Sequence, residues 1–383
     1  MPNLSFWEKD TFFKDIDFVV IGSGIVGLHA ALRLKEKHPK RRVVVLERGG
    51  LPTGASTKNA GFACFGSLTE LADDLENQTE NAVLELVEKR WRGLQKLRER
   101  CGDAAMEYQH LGGTEIFREE EETVFRVCKE KMAWFNDRVG RITGNSQTYR
   151  LADDRISEYG FAGVRHLIFN AEEGQIHTGR MMRRLLQIAK VKGVEIFNGI
   201  TVTETGEDNL SPKLLTSDGW EIRAEKILVT VNGFAKKLLP ELPVQPARNQ
   251  VIITEPVKDL PFRGCFHYDE GYFYFRNVGN RVLLGGGRHL AKEAENTDAF
   301  GSTELILNAL RGLLREVILP GRHYRIADGW SGILGVGESK TPIVRMISDN
   351  IGTAVRLGGM GVAIGSILGE EAADMMDNAP EIS

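Results

Sequence analysis

Between residues 16 and 48 the hydrophobic pattern changes period twice. Ile16 to Ile21 is a continuous apolar run rich in β-branched residues, which predicts a buried strand. Val26, Leu28, Ala30, Ala31 and Leu34 then recur at helical spacing until Pro39, and Val43 to Leu46 forms a second apolar strand closed by Glu47. The turn between the first strand and the helix carries Gly22, Gly24 and Gly27.

That order, strand, glycine turn, helix, strand and terminal acid, has a physical reading. The first glycine permits a tight turn, the second lets the backbone approach a pyrophosphate, and the third lets helix pack on strand. An anion then sits at the helix N-terminus, where free N–H groups and the positive dipole end favour it. Glu47, twenty residues past Gly27, is placed to accept from a ribose hydroxyl pair. A βαβ unit that uses its glycines only for packing is the plainer alternative. At this point the residues leave FAD and NAD equally open.

Downstream, Arg48 to Ser67 is a long aperiodic stretch of small and hydroxyl residues, with Gly54, Ser56, Thr57, Asn59 and Gly61 suited to closing around a polar ligand. Ser67 and Glu70 fit a capping box that opens helical spacing to about Arg100, with a break near Gln78. A strand is expected within Tyr108 to Phe117 and a helix from Glu119 to Val139, its acidic start favoured by the helix dipole. A helix from Thr178 to Lys190 leads to strands at Val194 to Phe197 and Thr201 to Thr203. A hairpin around Asp218-Gly219 then leads to a strand, Lys226 to Val231, that stops at Asn232-Gly233.

The next apolar runs, Gln250 to Glu255, Tyr272 to Arg276 and Arg281 to Leu284, predict a hairpin-rich sheet. Alternation sets Tyr272, Tyr274 and Arg276 on one face and Phe273 and Phe275 on the other. The first face suits a substrate cavity, though a sheet surface packed on a helix is the plainer reading. A helix at 302–317 and a glycine-studded strand beginning Trp330-Ser331-Gly332 follow. Gly358, Gly359 and Gly361 then open an amphipathic helix through Val362, Ile364, Ile367, Leu368 and Ala372, a second turn able to face an electronegative ligand edge.

Composition narrows the class. A chain of 383 residues with 42% hydrophobic and 27% charged residues is sized for two domains with ample core. Its net charge of −4, with Lys and Arg dispersed, gives no general attraction to nucleic acid. The four cysteines, Cys64, Cys101, Cys128 and Cys265, lack zinc-ligand spacing, so free thiols and no metal site are expected. The first fifteen residues lack a signal-peptide core and no run is long enough to span a membrane, so a cytoplasmic location is expected. Phe6, Trp7, Phe12 and Phe13 are expected to form a short arm packed on the body.

Five blocks, in this order, resemble the FAD-dependent amine and amino acid oxidoreductase family that includes D-amino acid oxidase, glycine oxidase and sarcosine oxidase. They are GSGIVG with Glu47, GASTKNAG, ILVTVNG, YFYFRNVGNRVLLGGG with WSGI, and GGMGVAIGSILG. The resemblance selects FAD. It implies an α/β, two-domain flavoprotein with a Rossmann-like FAD-binding domain at 1–66, 160–245 and 325–383. An antiparallel-sheet substrate domain at 67–159 and 246–324 completes it.

By the resemblance, Gly22, Gly24 and Gly27 hold the pyrophosphate and Glu47 the ribose, with Arg48 beside it. Ser56, Thr57, Lys58, Asn59 and Gly61 run along the flavin, Val202 meets adenine, and Asn232 and Gly233 form the second strand end. Gly358, Gly359, Met360, Gly361 and Val362 face the flavin carbonyl edge, where a helix N-terminus stabilises negative charge. Tyr272 matches an active-site tyrosine, with Tyr274 and Arg276 following as further catalytic candidates.

Three departures refine this. Relatives acting on amino acids place a carboxylate-clamping arginine shortly after W-x-G, where this chain has Leu334, so a clamp is missing or comes from elsewhere, with Arg276 and Lys340 the candidates. That favours an amine, or an N-substituted compound with a distant acid, over a simple D-amino acid. Lys58 stands where some relatives tether flavin through histidine, and no cysteine lies near Trp330, so the FAD is expected to be dissociable. The oxygen-activating lysine of sarcosine-oxidase-like members is replaced near Leu283, so oxygen and another electron acceptor both remain open.

The expected reaction is oxidation of a C–N bond by hydride transfer to flavin N5, giving an imine that water hydrolyses. The rivals are an FAD domain acting on a macromolecule, as in tRNA modification, and a non-catalytic flavin-binding interaction protein.

Overall fold

The computed structural model describes residues 4–208 and 211–378. Its first organising element is a six-stranded sheet in the order Ile343–Met346, Ile351–Val355, Lys226–Val229, Phe18–Ile21, Val43–Glu47, Glu195–Asn198. All neighbours pair in parallel except Ile343–Met346 with Ile351–Val355. The strands Phe18–Ile21 and Val43–Glu47 are buried on both faces, which is why they read as unbroken apolar runs.

Their side chains alternate between two cores. Phe18, Val20, Val43 and Val45 pack beneath helices that include Ile25–Lys37, Thr178–Val191 and Gly361–Asn378. Val19, Ile21, Val44 and Leu46 face a three-stranded sheet, Val202–Glu207, Pro212–Thr216 and Glu221–Arg223.

The second element is an eight-stranded sheet in the order Ile326–Val336, Gln245–Thr254, Arg281–Gly286, Phe273–Val278, Cys265–Tyr268, Gly113–Arg118, Val164–Asn170, Tyr149–Leu151. It is antiparallel apart from one parallel pair, Cys265–Tyr268 with Gly113–Arg118. As the alternation predicts, Phe273 and Phe275 turn to one core, with the helix Glu304–Leu313, while Tyr274 turns to the opposite face. Phe266 and Phe275 stack there with centroids 4.8 Å apart.

Several expectations shift. The strands Val164–Asn170 and Ile326–Val336 fall within the 160–245 and 325–383 segments assigned to the first domain, yet both pair into the eight-stranded sheet. Leu94, Leu97 and Cys101 of the helix Glu80–Cys101, assigned to the second domain, pack in the core of the first sheet. Hydrogen-bond pairing, not adjacency along the chain, decides which sheet each strand joins. The capping box at Ser67 is half formed: Ser67 Oγ accepts from Glu70 N at 3.4 Å, but the Glu70 carboxylate accepts from Arg90. The break near Gln78 is real, because Thr79 caps the helix Glu80–Cys101 through its hydroxyl, which accepts from Ala82 N. In the N-terminal arm Phe12 and Phe13 pack on Phe197 while Phe6 and Trp7 stay exposed. No helix among the described residues is long and apolar enough to cross a membrane.

Candidate functional site

The turn after Phe18–Ile21 is built as the glycines require. Gly22 has φ +105°, a region that side chains with a Cβ rarely adopt. A Cβ on Gly27 would stand 2.0 Å from the Gly22 carbonyl oxygen, so only glycine lets this helix approach its strand so closely. Thr230 Oγ1 donates to Ile21 O at 2.8 Å and ties the neighbouring strand end to the turn. Gly24 is the N-cap of Ile25–Lys37 and supplies no side-chain cap, and the first turn holds no acid. Apart from Ile25 N, which donates to Ser56 Oγ, the positive end of this helix is thus left open to an anion.

A cavity of about 250 Å³ runs past that helix end. Gly22, Gly24, Glu47, Arg48, Ser56, Asn59, Val202, Asn232, Gly359, Gly361 and Val362 all line it, so most of the expected cofactor residues converge on one space. Gly27, Thr57, Lys58, Gly61, Gly233, Gly358 and Met360 lie outside its lining. Their positions explain this. Thr57 Oγ1 donates to Pro52 O at 2.6 Å and so closes its own loop. Gly61 and Gly233 are close-approach points beneath Ile176 O and Leu334 O. Gly358 N donates to Gly335 O, and Met360 O accepts from Ala363 N and Ile364 N to start the last helix.

At one end of the cavity the buried Glu47 carboxylate accepts from Ser23 N and Oγ at 3.1 and 2.7 Å and from Gly49 N at 3.0 Å. Arg48 lies over the Phe234 ring, 3.8 Å from its centroid, an arrangement the sequence pattern does not reveal. Asn232, with φ +45°, turns its Oδ1 to accept from Arg356 N and Leu357 N, fastening the central strand end to the terminal glycine turn. Ile21, Leu46, Ile333, Leu334 and Leu357 supply apolar wall. An acid at one end, two helix N-termini and apolar walls fit the donor set that FAD demands.

The segment Ala55–Asn59 separates this cavity from a second one of about 330 Å³. Ser56 Oγ accepts from Ile25 N at 3.0 Å on the first side. Lys58 lines the second side with Gln250, Phe300, Trp330 and Ser331, its Nζ 5.0 Å from the Phe300 centroid. Gln250 is held from behind, donating to Glu295 and accepting from Thr303 N, and Glu295 is itself paired with Arg248 at 2.9 Å.

The expected catalytic face is placed differently. Tyr272 is 47% exposed and tilted over His289, one residue before its strand begins. Tyr274 is half-buried, edge-on to Phe62, and desolvation pushes its hydroxyl pKa up. Arg276 is 7% exposed, donates through Nη2 to Ile176 O at 3.0 Å, and leaves its Nε without a partner. None of the three lines either cavity. The period-2 pattern identifies their shared side of the sheet, but not the loop at 61–64 that covers that side. Lys340, the other candidate clamp, is committed to Asp74 at 2.6 Å and Glu70 at 3.5 Å. The four cysteines are free thiols, as expected, and two of them, Cys64 and Cys265, both donate to the Gly174 carbonyl, at 4.0 and 3.2 Å.

The model of a family described as FAD dependent oxidoreductase matches residues 17–375. Among curated proteins, the chain is similar to a bifunctional ThiO/ThiG protein of Synechocystis sp., at 27% identity over 77% of this chain and 42% of that protein. It is also similar to the probable oxidoreductase OrdL of Haemophilus influenzae, at 23% identity over 95% of this chain and 83% of that one. The chain spans less than half the length of the ThiO/ThiG relatives it matches. Among solved structures, glycine oxidase from Geobacillus kaustophilus superposes with a TM-score of 0.75 at 17% identity, covering 95% of each chain. L-proline dehydrogenase from P. horikoshii gives 0.74 at 16% identity, covering 96% of each. At such identities these two show a shared fold.

Proposed function

The chain belongs to the FAD-dependent oxidoreductase family, and from that premise we propose that it oxidises the C–N bond of a small amine or amino acid derivative to an imine, which water hydrolyses to a carbonyl compound. FAD, when bound, supplies the two-electron hydride acceptor for this chemistry.

The protein's own part begins with holding the cofactor. Gly22 and Gly24 would bring backbone N–H groups to the pyrophosphate, and Glu47 would accept from the ribose. Arg48, braced on Phe234, and the backbone of Val202 would flank the adenosine end. The start of the helix Gly361–Asn378 would offer its positive end to the electron-rich edge of the flavin. Among the lining residues there is no histidine, cysteine or tyrosine, which supports a dissociable cofactor.

The observation that carries the substrate reading is the second cavity, set across Ala55–Asn59 and the strand Ile326–Val336 from the first. Trp330 and Phe300 give it aromatic walls against which the carbon skeleton of an amine could pack. Lys58 is the cation on its wall, and no ion pair among the described residues engages it. A single ammonium in place of a guanidinium fork suits a substrate whose acid group is held loosely and at a distance from the reacting carbon. In support of an amine, the related N-methyl-L-tryptophan oxidase of Escherichia coli is 35% identical over 54% of this chain and 58% of its own. We also read the molecule as a cofactor unit around the six-stranded sheet and a substrate unit around the eight-stranded one, with 164–170 and 326–336 in the latter.

Product analysis tests this reading. The FAD-loaded protein is incubated with amines, N-methyl amino acids and free amino acids, and released amine and carbonyl product are identified by mass spectrometry. One substrate class is expected to give both in equal amounts. Failure of every class, with an unrelated protein co-purifying in stoichiometric amount, would favour a non-catalytic flavin protein.

A further inference from the structure

One loop supplies Phe300, Gly301 and Ser302 to the wall of the second cavity, and its two ends are locked together. Glu295 is buried, and its carboxylate accepts from Arg248 Nε and Nη2 at 2.9 and 3.0 Å, from Gln250 Nε2 at 3.0 Å and from the Thr303 hydroxyl. A buried carboxylate is tolerated when it is paired and hydrogen-bonded in this way. Gln250 Oε1 accepts in turn from Thr303 N at 2.9 Å. Residues 295 and 303 are therefore tied both to each other and to the strand Gln245–Thr254. The chain between them closes as a compact surface loop, pinned once more where Gly301 N donates to Ser331 Oγ at 3.0 Å.

Phe300 is 44% exposed, so core packing alone does not fix its ring. Its centroid lies 6.3 Å from that of Phe234, a residue that lines the first cavity. Asp298, two positions earlier, pairs with Lys237, which also lines the first cavity. The ring is thus placed by the base of its own loop, by Ser331 and by two residues of the first cavity's wall.

What the ring holds is an ammonium without a counter-ion. Lys58 Nζ stands 5.0 Å from the Phe300 centroid, and among the described residues no carboxylate forms an ion pair with it. Among the described residues that line the second cavity, Lys58 is the one charged group, since Gln250, Ser302 and Ser331 are neutral. A cation over an aromatic face is attracted by the ring quadrupole and keeps its full charge. Ordering a lysine side chain before a ligand arrives also removes that ordering cost from binding. A protein carboxylate would order it too, but would neutralise the charge that a ligand is to meet.

We propose that Phe300 is a positioning residue that sets specificity: it presents the Lys58 ammonium unneutralised, and so selects amines that carry a carboxylate over uncharged amines of the same length. This rests on the reading of the second cavity as the substrate site. Lys58 meets the carboxylate, and Phe300 acts through Lys58.

The test uses the full chain loaded with FAD and two probes, hexanoate and hexanamide, which match in length, differ in charge and carry no amine to oxidise. Calorimetric titration at low salt and neutral pH gives both affinities. Hexanoate is expected to bind at least ~10-fold more tightly than hexanamide. Phe300→Leu, which keeps apolar bulk but removes the ring, should lower that ratio by about 3-fold, and Phe300→Tyr should keep it. In Lys58→Met the ratio should fall near one, and adding Phe300→Leu should change it no further. A ring that only packs would weaken both probes alike, with or without Lys58. The visible spectrum of bound FAD reports whether each variant is folded. Absence of hexanoate binding, equal affinity for the two probes in the unaltered protein, or a Phe300→Leu effect on the ratio that persists in Lys58→Met would overturn the proposal. A hexanoate preference in a protein that oxidises no amine would leave it standing and remove the reaction alone. Turnover of uncharged amines without that preference would do the reverse.

Discussion

The indole N–H of Trp330 donates to the backbone carbonyl of Lys58 at 2.9 Å, joining the strand that roofs the second cavity to the segment that separates it from the first. This bond fixes the backbone from which the Lys58 side chain reaches to the Phe300 ring, its Nζ 5.0 Å from the centroid. Lys58→Met should therefore raise KM for acid-bearing amines by about 10-fold or more, the worth of roughly 1.4 kcal/mol, while leaving turnover of uncharged amines little changed. Steady-state kinetics with matched charged and uncharged substrates measures the difference.

Gly27→Ala brings a methyl group within 2.0 Å of the Gly22 carbonyl oxygen and 2.7 Å of Thr230 Oγ1. The helix must move off the strand, at a cost of about 1–3 kcal/mol, and the pyrophosphate turn moves with it. FAD affinity should fall by at least ~10-fold, as read by flavin fluorescence during titration of the stripped protein.

His29 is fully buried in Ile25–Lys37, donating through Nδ1 to Ile25 O at 2.8 Å, and burial depresses its pKa to about 3. The unfolded chain takes up this proton below about pH 6.5, whereas the folded chain does not until about pH 3. Stability is thus complete above pH 6.5 and falls by up to about 1.4 kcal/mol per unit as pH drops toward 3. Urea unfolding between pH 7 and 4 should show a shallower acid slope in His29→Gln than in the unaltered protein.

Acid precipitation of the yellow protein should leave all of its colour in the supernatant, because no side chain able to tether a flavin lines the first cavity among the described residues. Colour retained in the pellet would point to a covalent link.

The dinucleotide turn is legible because its signal is local: the periods of Ile16–Ile21 and Val26–Leu34 name strand and helix, and the glycines between them have little other use. The Phe273/Tyr274/Phe275 alternation is legible for the same reason, since pleat alone sets the faces. What covers a face is decided by distant chain. The loop at 61–64 buries Arg276, so a residue that reads as a substrate clamp has no access to either cavity. Asn232 reads as a cofactor contact, yet its left-handed backbone also turns the side chain to Arg356 and Leu357, residues more than a hundred positions away. The strands at 164–170 and 326–336 crossed the expected boundary since strand pairing, which composition does not encode, determines sheet membership.

The central claim is that bound FAD in this protein accepts electrons from a C–N bond. Its most direct test is anaerobic mixing of the purified holoprotein with amines, N-methyl amino acids and free amino acids while the oxidised flavin absorption is followed. Bleaching by one substrate class, with its imine-derived carbonyl product formed in proportion, is the predicted result. A flavin that stays oxidised with every class, yet is reduced readily by dithionite, would contradict the claim.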